Sequence, residues 1–265
     1  LHRLQAAKVT WALWLAASVA FAQTPVTPRQ VMALFNGRDL MGWYTWLVDH
    51  RYADPRKVFR VEDGILKITG EEWGGLTTRD SFRDYHLIVE WRWGGPTHGE
   101  RKEKARDSGI LVHGQGRDGA YRGIWLESIE SQIMEGGCGD FILVGGDRQP
   151  SLTVEVREEP NGELFWHKGG QPVTRSRGRF NWFGRDPQWR DVVGFRGRDD
   201  VEKPAGEWNR QEVIARGDTL TNIVNGVTVN YGTQASHTWG KIQLQSEGAE
   251  IHFRRIELRP LNPAR

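Results

Sequence analysis

A single cysteine, Cys138, stands among the 265 residues, so no disulfide within the chain can form. The protein must be held by packing and hydrogen bonds alone, even in a compartment that permits disulfides. The free thiol, in Gly136-Gly137-Cys138-Gly139, could serve as a nucleophile. A lone cysteine more often packs as a small hydrophobe, and that is the role expected here. Excess charge of one sign is missing too. Lys and Arg number 36 and Asp and Glu 34, a formal net of +2, which leaves no basic footprint for nucleic acid. No long segment carries a helical apolar period. No internal repeat and no second domain is visible. A Cys/His cluster, a Walker loop and a serine nucleophile elbow are all absent.

Long apolar runs are scarce as well. One, Val9–Ala20, follows a short basic stretch ending at Lys8 and precedes Ala20-Phe21-Ala22, a small-x-small site. It is too short to span a bilayer comfortably. The pattern predicts a secretory signal peptide over 1–22, removed after Ala22, rather than a membrane anchor. A Pro/Thr linker over 23–30 and a domain over 31–262 would follow. The mature protein is therefore expected to be periplasmic or secreted, without membrane insertion.

Glycine is plentiful, at 32 residues, and short alternating apolar runs are separated by Gly, Asp and Asn. That pattern predicts an all-β chain of many short strands. Val58–Glu62 and Ile65–Ile68 flank Asp63-Gly64, and Leu220–Val224 and Val227–Tyr231 flank Asn225-Gly226, both strong hairpin signals. Tyr85–Trp93, Leu126–Ile133, Leu152–Val156, Glu212–Ala215, Lys241–Glu247 and Ile251–Leu258 complete the set. Thr27-Pro28 suits the start of a short helix reaching Phe35. The segment 174–200 holds seven arginines and four aspartates among Phe and Trp residues, and reads as irregular loops. Such loops either serve function or form a self-satisfied Arg–Asp network.

Side chains alternate across a strand. Leu87, Val89, Trp91 and Trp93 therefore share one face, with Glu90 and Arg92 opposite. Ile129 and Ile133 oppose Ser128, Glu130 and Gln132, and Ile242 and Leu244 oppose Gln243, Gln245 and Glu247. Three strands thus set carboxylates beside amides or a guanidinium on a non-core face. If those faces meet, they line a groove suited to sugar hydroxyls, with Trp rings available for apolar sugar faces. If not, they are solvated outer faces. Glycosidases place two carboxyls about 5–5.5 Å apart for retention, or about 6.5–9.5 Å for inversion. Glu90 and Glu130 are the candidate pair. The Glu-x-Asp-x-x-Glu strand of many sandwich glycosidases is absent; the chain reads Glu127-Ser128-Ile129-Glu130-Ser131-Gln132. His113 is a candidate base or ligand, or a structural histidine. Asp107 and Asp140 sit at strand entries, where turn capping is the simpler role.

Several blocks in order along the chain carry a resemblance. They are Leu34-Phe35-Asn36-Gly37-Arg38-Asp39-Leu40 with Gly42-Trp43, Val61-Glu62-Asp63-Gly64-Ile65-Leu66, Val89-Glu90-Trp91-Arg92 and Asp107-Ser108-Gly109-Ile110. Glu130-Ser131-Gln132-Ile133, Gly139-Asp140, Gly206-Glu207-Trp208-Asn209, Val224-Asn225-Gly226, Leu244-Gln245-Ser246-Glu247-Gly248 and Phe253-Arg254-Arg255-Ile256 follow. The chain resembles the 3-keto-disaccharide hydrolase family, which often carries Asn where Asp107 stands.

The resemblance implies a concanavalin A-like jelly-roll β-sandwich acting on glycosides already oxidised at C3. A C3 ketone acidifies the C2 proton, so a base can remove it, the C1 substituent leaves and water adds back. On this reading Glu130 is the base or a metal ligand and Glu90 its partner. Arg92, His113 and Gln132 orient the sugar or stabilise the enolate, and Gln245, Glu247, Asp107 and Asp140 complete the groove. Glu130 and Glu90 could hold a divalent metal ion against the ketone. A non-catalytic carbohydrate-binding module and an ordinary glycosidase are the competing readings, because such sandwiches host both.

Overall fold

The computed structural model describes residues 24–261, so the leader expected over 1–22 lies outside the described residues. The strands in chain order begin with β1 (Met32–Ala33), β2 (Trp43–Leu47), β3 (Phe59–Glu62), β4 (Ile65–Ile68), β5 (Gly74–Thr78) and β6 (Tyr85–Thr97). Next come β7 (Asp107–Gln115), β8 (Glu127–Met134), β9 (Phe141–Val144), β10 (Leu152–Glu158), β11 (Leu164–Trp166) and β12 (Gln171–Arg175). The last are β13 (Gly178–Phe180), β14 (Asn209–Arg216), β15 (Thr219–Val224), β16 (Val227–Thr233), β17 (Lys241–Ser246) and β18 (Ala249–Pro260). The only helical turn among the described residues is a 3₁₀ turn at Gly99–Arg101. No helix there is long and apolar enough to cross a membrane.

The strands form two antiparallel sheets. One has 11 strands, with β11-β10-β16-β15-β14-β6-β18-β4-β3 in order, β1 beside β18 and β12 beside β10. The other has seven, β13-β9-β8-β7-β17-β5-β2. The chain is an all-β jelly-roll sandwich. Its two hairpin turns follow from local chemistry. Asp63-Gly64 and Asn225-Gly226 hold φ values of +52°, +77°, +48° and +86°. That is the pair of left-handed residues a tight two-residue hairpin needs, and Asp, Asn and Gly tolerate it best.

The sheets meet through apolar faces that include those alternation assigned to the core on β6, β8 and β17. Leu87, Val89, Trp91 and Trp93 of β6 and Ile251 and Phe253 of β18 are buried from one sheet. Ile110 and Val112 of β7, Ile129 and Ile133 of β8, and Ile242 and Leu244 of β17 are buried from the other. The Trp91 and Trp93 rings pack edge to face, 5.2 Å apart. Cys138 belongs to this core. Its thiol donates to Glu202 Oε2 at 2.7 Å, and burial pushes the thiol pKa up, away from a nucleophilic thiolate.

Two local expectations fail. No helix forms over Thr27–Phe35. Met32–Ala33 instead pairs with Glu257 and Leu258, and Leu34 and Phe35 donate their amides to Ile256 O. The exposed edge of β18 satisfies the backbone better than one isolated turn could. Within 174–200, the irregular reading misses the end of β12 and all of β13, which pairs with β9.

Candidate functional site

Strands β8, β7 and β17 lie side by side in the seven-stranded sheet. Leu111 stands opposite Glu130 and Gly109 opposite Gln132; on the other side Gln243 stands opposite Leu111. The outward face therefore carries Asp107, Gly109 and Leu111 between Glu130 and Gln132 on one flank and Gln243 and Gln245 on the other. Gly109 is required at the centre. A β-carbon there would collide with Glu130 Oε1 and Gln245 Oε1. Glycine lets these two long side chains meet over the middle strand.

This outward face is not solvated. Glu130, Gln132 and Gln245 are buried, each at most 2% exposed, and Asp107 is 4% exposed. The cover comes from the loop before β8 and from the segment around β13. Leu111, Trp125 and Val144 form a second apolar cluster outside the main core, joined by Trp73, Tyr121, Ile124 and Ile142. Trp73 stacks on Trp125 at 5.6 Å, and Trp125 on Tyr121 at 6.0 Å. The loop is pinned to the sheet at several points. Tyr44 and Tyr52 donate their hydroxyls to Asp118 at 2.7 and 2.8 Å, Trp46 Nε1 donates to Gly123 O at 3.0 Å, and Trp125 Nε1 donates to Gly74 O at 2.9 Å.

Between cover and sheet lies a cavity of about 160 Å³. Asp107, Glu130, Gln132, Gln245, Glu247 and Arg179 supply its polar lining, and Tyr121 and Trp125 an aromatic wall. Burial pushes the Glu130 carboxyl well above its ordinary range, and the charge of Asp107 adds to the effect. Glu247 is raised likewise, by dense surroundings and then by Asp107 and Glu130, although it keeps some solvent access through the cavity. Asp107 is raised to about 6 by burial, against the opposing pull of Arg101, which pairs with it. Three carboxyls that cannot all ionise cheaply therefore share one small space. Glu130 Oε1, Gln245 Oε1 and Asp107 Oδ1 are buried with no hydrogen-bond partner among the described residues, so all three can accept a hydrogen bond from a bound molecule, and the two carboxyls can also donate one when protonated.

The cation of the cavity is Arg179 of β13. Its Nη1 donates to Asp140 Oδ2 at 3.0 Å. Asp140 is fully buried, paired also with Arg185, and accepts the Trp182 amide at 2.6 Å. Asp140 thus stands behind the cavity as the anchor of Arg179. The arginine-rich segment forms an ion-pair network on Asp140, and one member of that network, Arg179, also lines the cavity.

Of the residues nominated from sequence, Asp107, Glu130, Gln132, Gln245 and Glu247 converge. Glu90, Arg92 and His113 do not. Glu90 lies on β6 of the other sheet, on its outer face, held by Arg254 at 2.6 Å and Arg255 at 3.1 Å. Arg92 lies over Trp208 on that same face, 4.8 Å from the ring centroid. Glu90 and Glu130 therefore point away from each other across a sandwich whose sheets are about 10 Å apart, and they cannot act as a pair. They cannot share a metal ion either, and among the described residues no three His, Cys, Asp or Glu side chains are grouped to hold one.

His113 is displaced by a β-bulge between Val112 and Gln115 and adopts a φ of +57°. It is fully buried against Tyr85, and its Nδ1 donates to His237 O at 2.7 Å. Burial lowers its pKa to about 4. Arg179, Tyr121 and Trp125 were missed by sequence reasoning. Only the Tyr121-Arg122-Gly123-Ile124-Trp125 aromatic pair just ahead of Glu130 hinted at the cover.

Comparison with known proteins locates this arrangement. A search of curated proteins gives no match. A structure of a candidate glycosyl hydrolase from Parabacteroides distasonis is 18% identical, with a TM-score of 0.50, covering 88% of this chain and 94% of that one. A β-glucanase of Bacillus licheniformis is 10% identical, with a TM-score of 0.45, covering 86% and 97%. A carbohydrate-binding module of Bacillus subtilis is 10% identical, with a TM-score of 0.42, covering 82% and 94%. The family profile for the 3-keto-alpha-glucoside-1,2-lyase-like domain matches residues 30–259. The chain is a carbohydrate-active protein, and it belongs to the 3-keto-alpha-glucoside-1,2-lyase-like domain family.

Proposed function

We propose that the protein is an exported enzyme that cleaves 3-keto-glycosides. The observation that carries this reading is the buried Glu130 carboxyl, raised in pKa, set beside Asp107, Glu247 and the Arg179 guanidinium in one cavity. A carboxylate with a raised pKa is a stronger base, suited to the proton beside a ketone. The ionised Glu130 takes the C2 proton, and the electron pair left behind forms an enolate with the C3 carbonyl. Arg179 and the amides of Gln132 and Gln245 supply the positive charge and donors that stabilise it. The electron pair then returns to form a C1–C2 double bond as the C1–O bond breaks. A protonated neighbour, Asp107 or Glu247, gives its proton to the departing oxygen. Water adds at C1 and a proton returns to C2, giving the 3-keto-sugar and the free alcohol. Tyr121 and Trp125 offer an apolar wall to the sugar ring.

The test is turnover of a 3-keto-glucoside and its unoxidised parent by the wild type and by Glu130→Gln. Loss of turnover in a folded Glu130→Gln protein supports the assignment, and full activity overturns it. The stacked rings also suit a non-catalytic sugar-binding module, which would bind both sugars and release no product. Export rests on the Val9–Ala20 leader pattern. An exported chain found to begin at Gln23 would support it, and an uncleaved cytoplasmic chain would contradict it.

A further inference from the structure

The catalytic cavity has a neighbour of opposite character. At about 160 Å³ it falls below the roughly 300 Å³ at which small-molecule sites usually begin, so it is matched to one sugar ring. Tyr121 and Leu143 line both it and a second cavity of about 320 Å³. Arg122, Arg177 and Gln149 supply the side-chain polar groups of that second cavity, and no acidic residue lines it among the described residues. Arg177 sits at the tip between β12 and β13. Arg122 lies over the Tyr121 ring, 5.2 Å from its centroid. Among the described residues neither is salt-bridged to a carboxylate, unlike Arg179 and Arg185 in the same segment, which both hold Asp140.

From this charge reversal we infer that the second cavity is a leaving-group subsite for an anionic aglycone, one carrying a carboxylate or a phosphate. The inference rests on the proposed cleavage site for the position of the scissile bond. A sugar whose ring occupies the carboxyl-lined cavity has its C1 substituent free to pass Tyr121 into the arginine-lined one. In the first cavity an anion meets the carboxyls of Asp107, Glu130 and Glu247, with the guanidinium of Arg179 already paired to Asp140, whereas in the second it receives guanidinium donors that hold no carboxylate, which fixes the orientation of the substrate.

Binding rather than turnover tests it, using trehalose, trehalose 6-phosphate and a glucosyl-glucuronate disaccharide in calorimetric titrations of the full chain. Either anionic disaccharide is expected to bind about tenfold more tightly than trehalose, the scale of one charge-assisted hydrogen bond. The ratio should shrink at high salt and collapse towards one in Arg122→Gln/Arg177→Gln. Arg190→Gln, an exposed arginine lining neither cavity, should keep it. The two anions together distinguish a general oxyanion site from one shaped for phosphate or for carboxylate. Equal affinity for neutral and anionic sugars, no binding of any of the three, or a ratio that survives the double substitution overturns the inference. With turnover of a 3-keto-glucoside measured alongside, turnover of it without charge preference in binding would sink the subsite alone, and charge preference with no turnover of the 3-keto-glucoside would sink the cleavage reading alone.

Discussion

A β-carbon on Gly109 would run into Oε1 of Glu130. Its backbone is not in the left-handed region, so alanine there would strain only the carboxyl and amide above it. Gly109→Ala is expected to fold, with Glu130 and Gln245 pushed aside. A displacement of about 1 Å at a reacting group costs roughly 10²-fold. Turnover of a 3-keto-glucoside together with near-UV circular dichroism checks this. A folded variant with wild-type turnover would show that Glu130 is not held at a critical position.

Glu130→Gln should remove activity and raise stability at neutral pH. A raised carboxyl pKa means that the folded state holds the proton more tightly than the unfolded one. The associated stability is complete below the unfolded value near 4.5 and is lost as pH rises through the folded value. At pH 7 the folded protein bears the cost of keeping this carboxyl in a dry site, on the order of 1–3 kcal/mol. Thermal melts across pH should show Glu130→Gln gaining on the wild type above pH 5. A variant less stable than wild type at pH 8 would contradict this.

Arg179 and Glu90 should behave oppositely. Arg179→Gln removes the cation beside the developing enolate, and loss of one such donor costs about 10²–10³ in turnover. Arg179→Lys should recover part of it, keeping the charge but not the fork. Glu90→Gln is expected to leave kcat/KM unchanged, because Glu90 pairs with Arg254 and Arg255 on the far face. A turnover defect in Glu90→Gln that exceeds its loss of stability would reopen a catalytic role.

His113 should report on acid stability rather than on catalysis. Its pKa, lowered to about 4 by burial, keeps the ring neutral in the folded protein. The stability this lends is present above the unfolded value near 6.5 and is lost as pH falls from there towards 4. His113→Gln should flatten the stability profile across that window while leaving the pH–rate profile in shape. A shifted kinetic limb in that variant would place His113 in the chemistry after all.

Much of the candidate site is legible in the sequence, because alternation is local. Glu130 and Gln132 share a face whatever sheet β8 joins, and so do Gln245 and Glu247. The false partner, Glu90, obeyed the same rule equally well. Nothing within Tyr85–Trp93 says that this strand pairs with β14 and β18 rather than with β7 and β8. Arg179 was hidden for a related reason. Its role depends on Asp140, 39 residues earlier, and on the pairing of β13 with β9.

Short-range chemistry was enough for the all-β class, the inward faces and the Asp63-Gly64 and Asn225-Gly226 hairpins, since each depends on residues close together in the chain. Whether an outward polar row meets water or a ligand is a different kind of question. It turns on which loops fold over the row, and those contacts join residues far apart in the chain. Tyr44 and Tyr52 hold Asp118 across separations of 74 and 66 residues, and so bring Tyr121 and Trp125 over Glu130. That closure takes the carboxyls out of water and raises their pKa values. It makes an enclosed, polar-lined cavity of a strand face that, left open, would have been an ordinary solvated surface.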